Sequence, residues 1–347
     1  MNYAKTMKAY DLLADDESRM WFDARVNHAL KKDPVYWWEY IHEREWSFYG
    51  ADIEFLSAPA YEGKKFVIFG AGTYGKHALF ILQHSPLAGR VAAFVDNISR
   101  GGVQGIPCLK PHDLMKSPEE YVVIIGSDVY GLAMYRQLCF MKFPQSNIYM
   151  PREGRLVGLA GRQYFDVFSP AKNEVFVDAG CFDGRTSLEF VDWCHKDYQS
   201  IYAFEPTPDM AEICRKTFTD NKIDNCNLYE KVCWSSKGNV EFTVSTTRGA
   251  SCVTGENGGM ETISIDEVLS GKPVTFIKMD VEGSELEALK GAKKSILKYK
   301  PRLAISLYHK PEDIFELPAY IADLNEEYRL YIRHYTSDIW ETVLYAV

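Results

Sequence analysis

The sequence predicts an α/β protein that contains two Rossmann-like units. Two glycine-rich turns each follow an apolar strand and precede a helix. The next strand of each unit ends at an acid, Asp96 in the first and Glu205 in the second. Alternating strands and helices build parallel sheets whose ligands bind at the carboxyl ends of the strands. We therefore expect one ligand site at the sheet edge of each unit.

The first unit has the Gly-x-Gly-x-x-Gly spacing of dinucleotide-binding turns, and Asp96 follows the first glycine by 26 residues. A helix N-terminus above such a turn can hold a diphosphate. Strands are expected over 65–69, 91–95 and 121–125, and a helix over 76–83. The candidate ligand residues are Gly70, Gly72, Gly75 and Asp96. A scaffold without a ligand and an NAD site are open alternatives, although no hydride-transfer residues accompany the turn.

The second unit has a different turn, Asp178-Ala-Gly180-Cys-Phe-Asp183-Gly184, between a strand over 175–178 and a helix over 186–193. It lacks the closely paired glycines that cradle a pyrophosphate, which favours a nucleoside carrying an amino acid, S-adenosylmethionine (SAM). Glu205 is placed to accept hydrogen bonds from two ribose hydroxyls. Val232 is either a wall of the adenine pocket or a core valine. The candidate cofactor residues are Asp178, Gly180, Asp183, Gly184, Glu205 and Val232.

The rest of this half continues the alternation of strands and helices. Further strands are expected near 201–205, 227–232, 240–244, 274–279, 302–307, 328–334 and 340–346. Further helices are expected over 266–269 and 284–291, the second ended by a glycine. The last two strands would form an antiparallel hairpin.

Six sequence blocks resemble the FkbM family of SAM-dependent methyltransferases, across roughly residues 160 to 347. The blocks are Val177–Gly184, Ala203–Pro206, Ile277–Gly283, Ser306–Asp313, Tyr331–Tyr335 and Glu341–Tyr345. The resemblance implies a class I SAM methyltransferase sheet with a final antiparallel hairpin. It also implies an acceptor hydroxyl on a sugar, polyketide or similar small molecule. Residues 64–150 look like the sugar-nucleotide-binding domain of bacterial sugar acetyltransferases, which implies a nucleotide-linked acceptor.

Methyl transfer to an alcohol needs an in-line arrangement and a base for the hydroxyl proton. His309 directly follows a strand and is the first candidate base, because histidine titrates near neutral pH. Asp280 and Glu282 follow the preceding strand and would orient the methionine amine and the acceptor. His334 and Glu341, on the expected hairpin, are candidate acceptor-binding residues or a cross-strand polar pair. A metal held by Asp280 and Glu282 is an open alternative, but an Asp/Glu pair alone is weak evidence for a cation, so no metal site is assigned.

Composition argues against several functional classes. The net charge of −9, without a basic stripe, argues against a nucleic-acid partner. No apolar run approaches the roughly 18 residues that a membrane span needs. The first residues lack the apolar core of a signal peptide, and the eight cysteines form no Cys-x-x-Cys pair. A cytoplasmic protein with reduced thiols is therefore expected.

The chain is expected to divide into a helical segment over 1–60, a Rossmann-like domain over 61–155 and a methyltransferase domain over 160–347. Aromatic residues at helical spacing, with a helix start at Asp33-Pro34, mark the first segment. This segment either caps the next domain or forms an acceptor or homo-oligomer surface. The predicted function is SAM-dependent O-methylation of a sugar or similar small acceptor. The alternatives are a nucleotide-sugar- or NAD-binding protein that works through its first unit, or SAM binding without turnover.

Overall fold

The computed structural model describes residues 3–31, 37, 53, 55–99, 101–127, 130–149, 163–244, 251–335 and 339–347. The chain forms two compact units. The flanking unit consists of Met1–Lys32 and Gly158–Val347, and the inserted unit is Asp33–Val157. This division differs from the expected boundary at residue 60. The expected helix start at Asp33-Pro34 lies outside the described residues.

Two helices begin the flanking unit, α1 (Tyr3–Asp11) and α2 (Asp16–Lys31). The link between them pairs with a strand near the other end of the chain. Leu330 N–H donates to Leu12 O at 3.0 Å, and Ala14 N–H donates to Leu330 O at 2.8 Å. Trp21 of α2 packs on the His334 ring, with centroids 4.8 Å apart. These contacts explain why residues 1–32 join the C-terminal half rather than the domain that follows them.

The inserted unit contains a parallel sheet of five strands in the order β3-β2-β1-β4-β5. The strands are β1 (Lys65–Phe69), β2 (Val91–Val95), β3 (Cys108–Leu109), β4 (Tyr121–Ile125) and β5 (Ile148–Tyr149). Its described helices include α3 (Thr73–Gln83) and α4 (Gly131–Phe140), and 3-10 turns lie at Pro59–Tyr61, Pro111–Lys116, Pro118–Glu120 and Gln145–Asn147. The three predicted strands have the expected bounds, because each is an apolar run bordered by turn residues. Helix α3 begins three residues earlier than predicted.

The flanking unit contains a sheet of seven strands in the order β14-β15-β13-β12-β6-β7-β8. The strands are β6 (Glu174–Ala179), β7 (Tyr198–Phe204), β8 (Cys226–Tyr229), β12 (Phe276–Met279), β13 (Arg302–Ser306), β14 (Leu330–His334) and β15 (Thr342–Ala346). Strand β15 is antiparallel to both β13 and β14, whereas the other neighbours are parallel. The predicted final antiparallel hairpin is confirmed, and with it the predicted fold class.

A smaller sheet of three strands accompanies it, in the order β10-β11-β9. Its strands are β9 (Val232–Cys233), β10 (Gly238–Val244) and β11 (Ser251–Ile263). Val232 is buried there and pairs with Thr262 rather than with a strand of the main sheet. The helices of this half are α5 (Arg185–Trp193), α6 (Pro208–Asp220), α7 (Ile265–Leu269), α8 (Glu285–Gly291), α9 (Lys293–Tyr299) and α10 (Asp313–Leu324).

Aromatic side chains fill the core beneath the carboxyl edge of the larger sheet. The Phe176 ring of β6 stacks on Phe190 of α5 at 4.2 Å and lies 5.0 Å from the Phe276 ring of β12. All three are fully buried. This rigid packing fixes the ends of β6 and β12, from which the residues of the candidate site project. Within the described residues, no helix combines the length and hydrophobicity that a bilayer crossing requires.

Candidate active site

A buried ion pair lies directly beneath the second glycine turn. Asp178 and Lys278 face each other on the neighbouring strands β6 and β12, and Lys278 Nζ lies 3.1 Å from Asp178 Oδ1. Asp178 Oδ2 accepts from Ser187 Oγ at 2.7 Å, and Lys278 Nζ donates to Gly180 O at 2.6 Å. Burial disfavours the charged lysine, but Asp178 and Asp280 raise the pKa of Lys278. In this arrangement Asp178 holds the turn in place through these contacts.

The turn itself requires glycine because of protein packing. Gly180 has a φ of +79°, and a Cβ there would lie 1.8 Å from the backbone oxygen of Asp280. Gly184 has a φ of +81°, and a Cβ there would lie 2.8 Å from a ring atom of Phe218. Asp183 precedes α5, and its Oδ1 accepts from Arg185 N–H at 3.1 Å. These residues therefore bring β6, β12 and α5 together at one edge.

Glu205 lies one residue beyond β7 and is almost completely buried. Its Oε1 accepts a hydrogen bond from Thr207 N–H at 2.9 Å and another from the Thr207 hydroxyl. The backbone N–H of Phe182 also faces the carboxylate. Burial raises the pKa of Glu205 despite these donors. A carboxylate has about four acceptor positions, so capacity remains for a ribose hydroxyl.

The turn that follows β12 carries a cluster of charged groups. His309 Nε2 lies 3.4 Å from Asp280 Oδ1 and 3.5 Å from Glu282 Oε2. His309 Nδ1 lies 2.9 Å from Oε1 of Glu285, which is fully buried at the start of α8. The structure thus brings together the three predicted catalytic residues, Asp280, Glu282 and His309. Glu285 is a fourth member that the sequence interpretation did not include.

The cluster shifts the protonation of its own members. Burial lowers the pKa of His309, but the carboxylates of Glu285, Asp280 and Glu282 outweigh it and raise this pKa to about 10. The imidazole therefore carries a proton at pH 7. Burial also raises the pKa of Glu282 to about 7; His309 opposes this increase, and neighbouring carboxylates add to it. In this state Glu282, and not His309, titrates close to neutral pH.

A comparison with protein-family models assigns this region. Residues 178–338, which include Glu205 and the whole His309 cluster, match the model described as the methyltransferase FkbM domain. This part of the chain therefore resembles an FkbM methyltransferase domain, and we call it the FkbM domain. Enzymes of this family use S-adenosylmethionine. The resemblance of residues 64–150 to sugar acetyltransferases stays a prediction.

A comparison with solved structures gives further matches. The methyltransferase FkbM from Methylobacillus flagellatus KT is 18% identical, with a TM-score of 0.51 and coverage of 87% of this chain and 98% of its own. An rRNA methylase from Streptococcus thermophilus is 14% identical, with a TM-score of 0.35 and coverage of 50% and 86%. Fibrillarin from Aeropyrum pernix, with bound S-adenosyl-L-methionine, is 12% identical, with a TM-score of 0.34 and coverage of 52% and 70%. No curated protein sequence matches significantly.

Two tyrosines connect the cluster of the FkbM domain to the final hairpin. Tyr164 donates to Asp280 Oδ2 at 2.9 Å, and Tyr308 donates to Asp280 Oδ1 at 3.2 Å. Tyr308 also approaches Glu341 Oε2 at 3.5 Å, and Gln163 donates to the same oxygen. Glu341 therefore belongs to the network around Asp280. Neither tyrosine was predicted from the sequence, although the Ser306–Asp313 block contains Tyr308.

His334 lies elsewhere in the flanking unit. It is buried, and its Nδ1 lies 2.9 Å from the hydroxyl of Thr342 on the neighbouring strand β15. The Trp21 ring covers it. This geometry matches the cross-strand polar pair that was the alternative to acceptor binding.

In the candidate site of the inserted unit, the acid is hydrogen-bonded to backbone N–H groups of the same unit. Asp96 Oδ1 accepts from Ile98 N–H and Ser99 N–H, both at 2.8 Å, and Oδ2 accepts from Ala71 N–H at 3.0 Å. A Cβ on Gly75 would lie 1.9 Å from Gly70 O, whereas one on Gly72 would meet nothing within 4 Å. The acid and two of the glycines thus serve the local packing.

A residue from α2 fixes the chain that leads to His309. The Arg25 guanidinium donates to Leu307 O at 2.9 Å and to Ile339 O at 2.7 Å, and the side chain is almost fully buried. Burial lowers the pKa of Arg25 to about 10, so it remains charged at neutral pH. A charged residue on the buried face of an amphipathic helix is the only sequence signal for this role.

Proposed function

We propose that the FkbM domain transfers a methyl group from SAM to a hydroxyl oxygen of a sugar or similar small acceptor, with a nucleotide-linked sugar included. The observation that carries this proposal is the position of Glu205 and the Asp280 cluster on either side of β6. Neighbouring strands lie about 4.8 Å apart, so the two groups are separated by roughly 10 Å along the sheet edge. That distance suits a cofactor held by its ribose at one end and reacting at the other.

The residues present fit the cofactor. Glu205 retains acceptor capacity for a ribose hydroxyl, and the Asp178–Lys278 pair holds the turn between Glu205 and the cluster. Bound SAM supplies a sulfonium methyl that an acceptor oxygen attacks in line. The described residues supply the positioning, which is the largest contribution to such a displacement.

The pKa values favour a revised assignment of the base. His309 holds its proton at neutral pH, so it would position the surrounding carboxylates rather than accept the hydroxyl proton. Glu282, with a pKa near 7 and a side chain that is 36% exposed, has the properties expected of a general base at neutral pH. Asp280, fixed by Tyr164 and Tyr308, would orient the acceptor. An unchanged turnover of His309→Ala would remove His309 from the mechanism.

A small cavity next to Glu282 supports a sugar acceptor. Its volume is about 120 Å³, and its walls include Trp234, Glu282, Glu287 and Lys310. An aromatic face combined with charged groups matches a sugar ring, which presents both C–H faces and hydroxyls. Mass spectrometry with panels of sugars and nucleotide sugars would identify the acceptor by the gain of one CH₂. A panel without any SAM-dependent gain would contradict the acceptor class.

Calorimetry with SAM tests the proposed cofactor site. We expect Glu205→Gln to weaken SAM binding by about 10- to 100-fold, because hydrogen bonds to a charged acceptor are lost. The matched control is Asp96→Asn in the inserted unit, which should bind SAM as the wild type does. Equal affinity of the wild type and Glu205→Gln would contradict the proposal.

The alternative, in which the inserted unit binds NAD or a nucleotide sugar, is less well supported. The carboxylate that would bind the ribose already accepts three backbone N–H groups. Calorimetry with NAD and UDP-sugars on the wild type and Asp96→Ala tests it directly. Binding that depends on Asp96 would favour this alternative.

A further inference from the structure

Three side chains at the tip of β12 are arranged like the ligands of a metal ion. Asp280, Glu285 and His309 each contribute one ligand atom, and these atoms lie within 4.8 Å of one another. Ligand bonds of about 2.1 Å place adjacent ligands about 3 Å apart and opposite ligands about 4 Å apart. Small side-chain movements would therefore bring the three atoms to one ion. Glu282 Oε2 lies next to this group, 3.5 Å from His309 Nε2.

Two atoms of this cluster lack a hydrogen-bond partner among the described residues. Glu285 Oε2 and His309 Nδ1 are both buried, and no described group makes a hydrogen bond of good geometry with either. Nδ1 does lie 2.9 Å from Glu285 Oε1, which also accepts from Val281 N–H at 2.9 Å, but this ion-pair contact lacks hydrogen-bond geometry. A buried polar atom without a partner is unfavourable by about 1–3 kcal/mol. An ion among the three side chains would supply the missing partner.

Charge balance points in the same direction. Three carboxylates, from Asp280, Glu282 and Glu285, surround the single imidazole of His309. The nearest buried lysine, Lys278, is already paired with Asp178. Clustered carboxylates, of which Glu285 is fully buried, are stabilised by a cation, and mixed carboxylate and imidazole ligands suit divalent metals.

We propose that a divalent cation of the Mg²⁺ or Mn²⁺ class binds between Asp280, Glu285 and His309, with Glu282 beside it, and that the imidazole releases the proton it holds in the metal-free protein when the cation binds. The site itself is independent of turnover, but its catalytic role rests on the proposed function. The cation would bind the acceptor oxygen and lower the pKa of its hydroxyl. The O–H bond then breaks with its proton passing to Glu282, the oxygen forms the bond to the methyl carbon, and the carbon–sulfur bond breaks to release the thioether.

Manganese binding tests the site without reference to activity. After treatment with a chelator, the protein is titrated with Mn²⁺ alone, and the free ion is followed by electron paramagnetic resonance. We expect one saturable site, weakened at least tenfold in Glu285→Gln. This variant keeps the oxygen that accepts from Val281 N–H, so the fold should survive. The second variant is His309→Gln, and the charge-matched control is Glu316→Gln, which lines the neighbouring cavity.

The outcomes separate the two proposals. Saturable binding that is lost in Glu285→Gln and His309→Gln, but kept in Glu316→Gln, supports the site. An absence of saturable binding, or equal binding in all four proteins, overturns it. Calorimetry with SAM on the same chelated samples reports on the cofactor site alone. SAM binding without manganese binding would overturn only this inference, and manganese binding without SAM binding would overturn only the proposed function.

Discussion

The two units each place a glycine turn after their first strand, over very different strand pairs. In the inserted unit, Ile68 of β1 lies opposite Ile124 of β4. At the corresponding position of the flanking unit, Asp178 of β6 lies opposite Lys278 of β12. In each case the pair precedes the first turn glycine by two residues. A glycine turn therefore predicts a strand followed by a helix. The side chains beneath the turn show whether that edge of the sheet has an apolar core or a buried ion pair.

The acids that end the second strands differ in the same way. Asp96 accepts three N–H groups of its own loop. Glu205 accepts the Thr207 N–H and hydroxyl on Oε1, and the Phe182 N–H also faces its carboxylate. One donor to Glu205 is therefore a rotatable hydroxyl, whereas the three donors to Asp96 are backbone N–H groups. The comparison teaches that the kind of donor around an acid at a strand end matters as well as the number of donors.

The largest expected effect concerns the glycine of each turn. Gly180→Ala should destabilise the flanking unit by at least about 3 kcal/mol, because its Cβ meets a backbone oxygen and its φ is positive. Gly72→Ala in the other turn should change stability by less than about 1 kcal/mol, since its Cβ meets nothing within 4 Å. Calorimetric melting of both variants checks this. Similar losses in the two variants would remove the contrast between the turns.

Variants of the buried Asp178–Lys278 pair should affect the free energy of unfolding and SAM binding differently. Lys278→Met alone should lower the free energy of unfolding by about 3–5 kcal/mol, because Asp178 is left buried without a cation. Replacing both residues with isoleucine copies the strand pair of the inserted unit and should recover most of that loss. The double variant should still fail to bind SAM, since the turn loses its Lys278 contact. Urea unfolding and calorimetry measure the two effects, and intact SAM binding would show that the pair has only a structural role.

The smallest expected effect is the response of the inserted unit to acid. Burial lowers the pKa of His77 to about 3, below the unfolded value of about 6.5. The contribution of neutral His77 to the free energy of unfolding is complete above pH 6.5 and is lost as the pH falls toward 3. Between pH 6.5 and 5.5 the loss should be about 1 kcal/mol. His77→Gln should remove that part of the pH dependence in urea unfolding, and an unchanged slope would contradict the assignment. His309, with its raised pKa, would instead lose its contribution as the pH rises toward 10.

Elements bounded by strong local signals could be predicted from the sequence. Strands β1, β2 and β4 are apolar runs between turn residues, and their bounds were correct. Strand β11 was missed because Gly255, Gly258 and Gly259 break any alternation. Helix α10 was missed because Pro318 lies inside it, where proline normally ends a helix. Tertiary packing decided both cases.

The candidate site was predictable only where residues follow strands. Asp280, Glu282 and His309 were placed together because parallel strands end at the same edge. Glu285 escaped because an acid in the first turn of a helix usually caps that helix and faces solvent. Lys278 did carry a signal, a charge inside an apolar strand, which indicates a buried partner. The hydrogen bonds that Asp96 accepts from backbone N–H groups depend on the geometry of the loop. They could not be inferred from the spacing of residues in the sequence.

The pairing of Leu12 and Ala14 with strand β14 has a consequence for synthesis on the ribosome. Ser18 and Ile332, which are also hydrogen-bonded, lie 314 residues apart. At about 5–20 residues per second, α1 and α2 would emerge roughly 15 to 60 s before their final neighbours exist. The inserted unit is contiguous and can mature during that wait. Helices α1 and α2 would therefore need chaperones more than later parts of the nascent chain. The edge of β14 stays exposed until these helices pack against it.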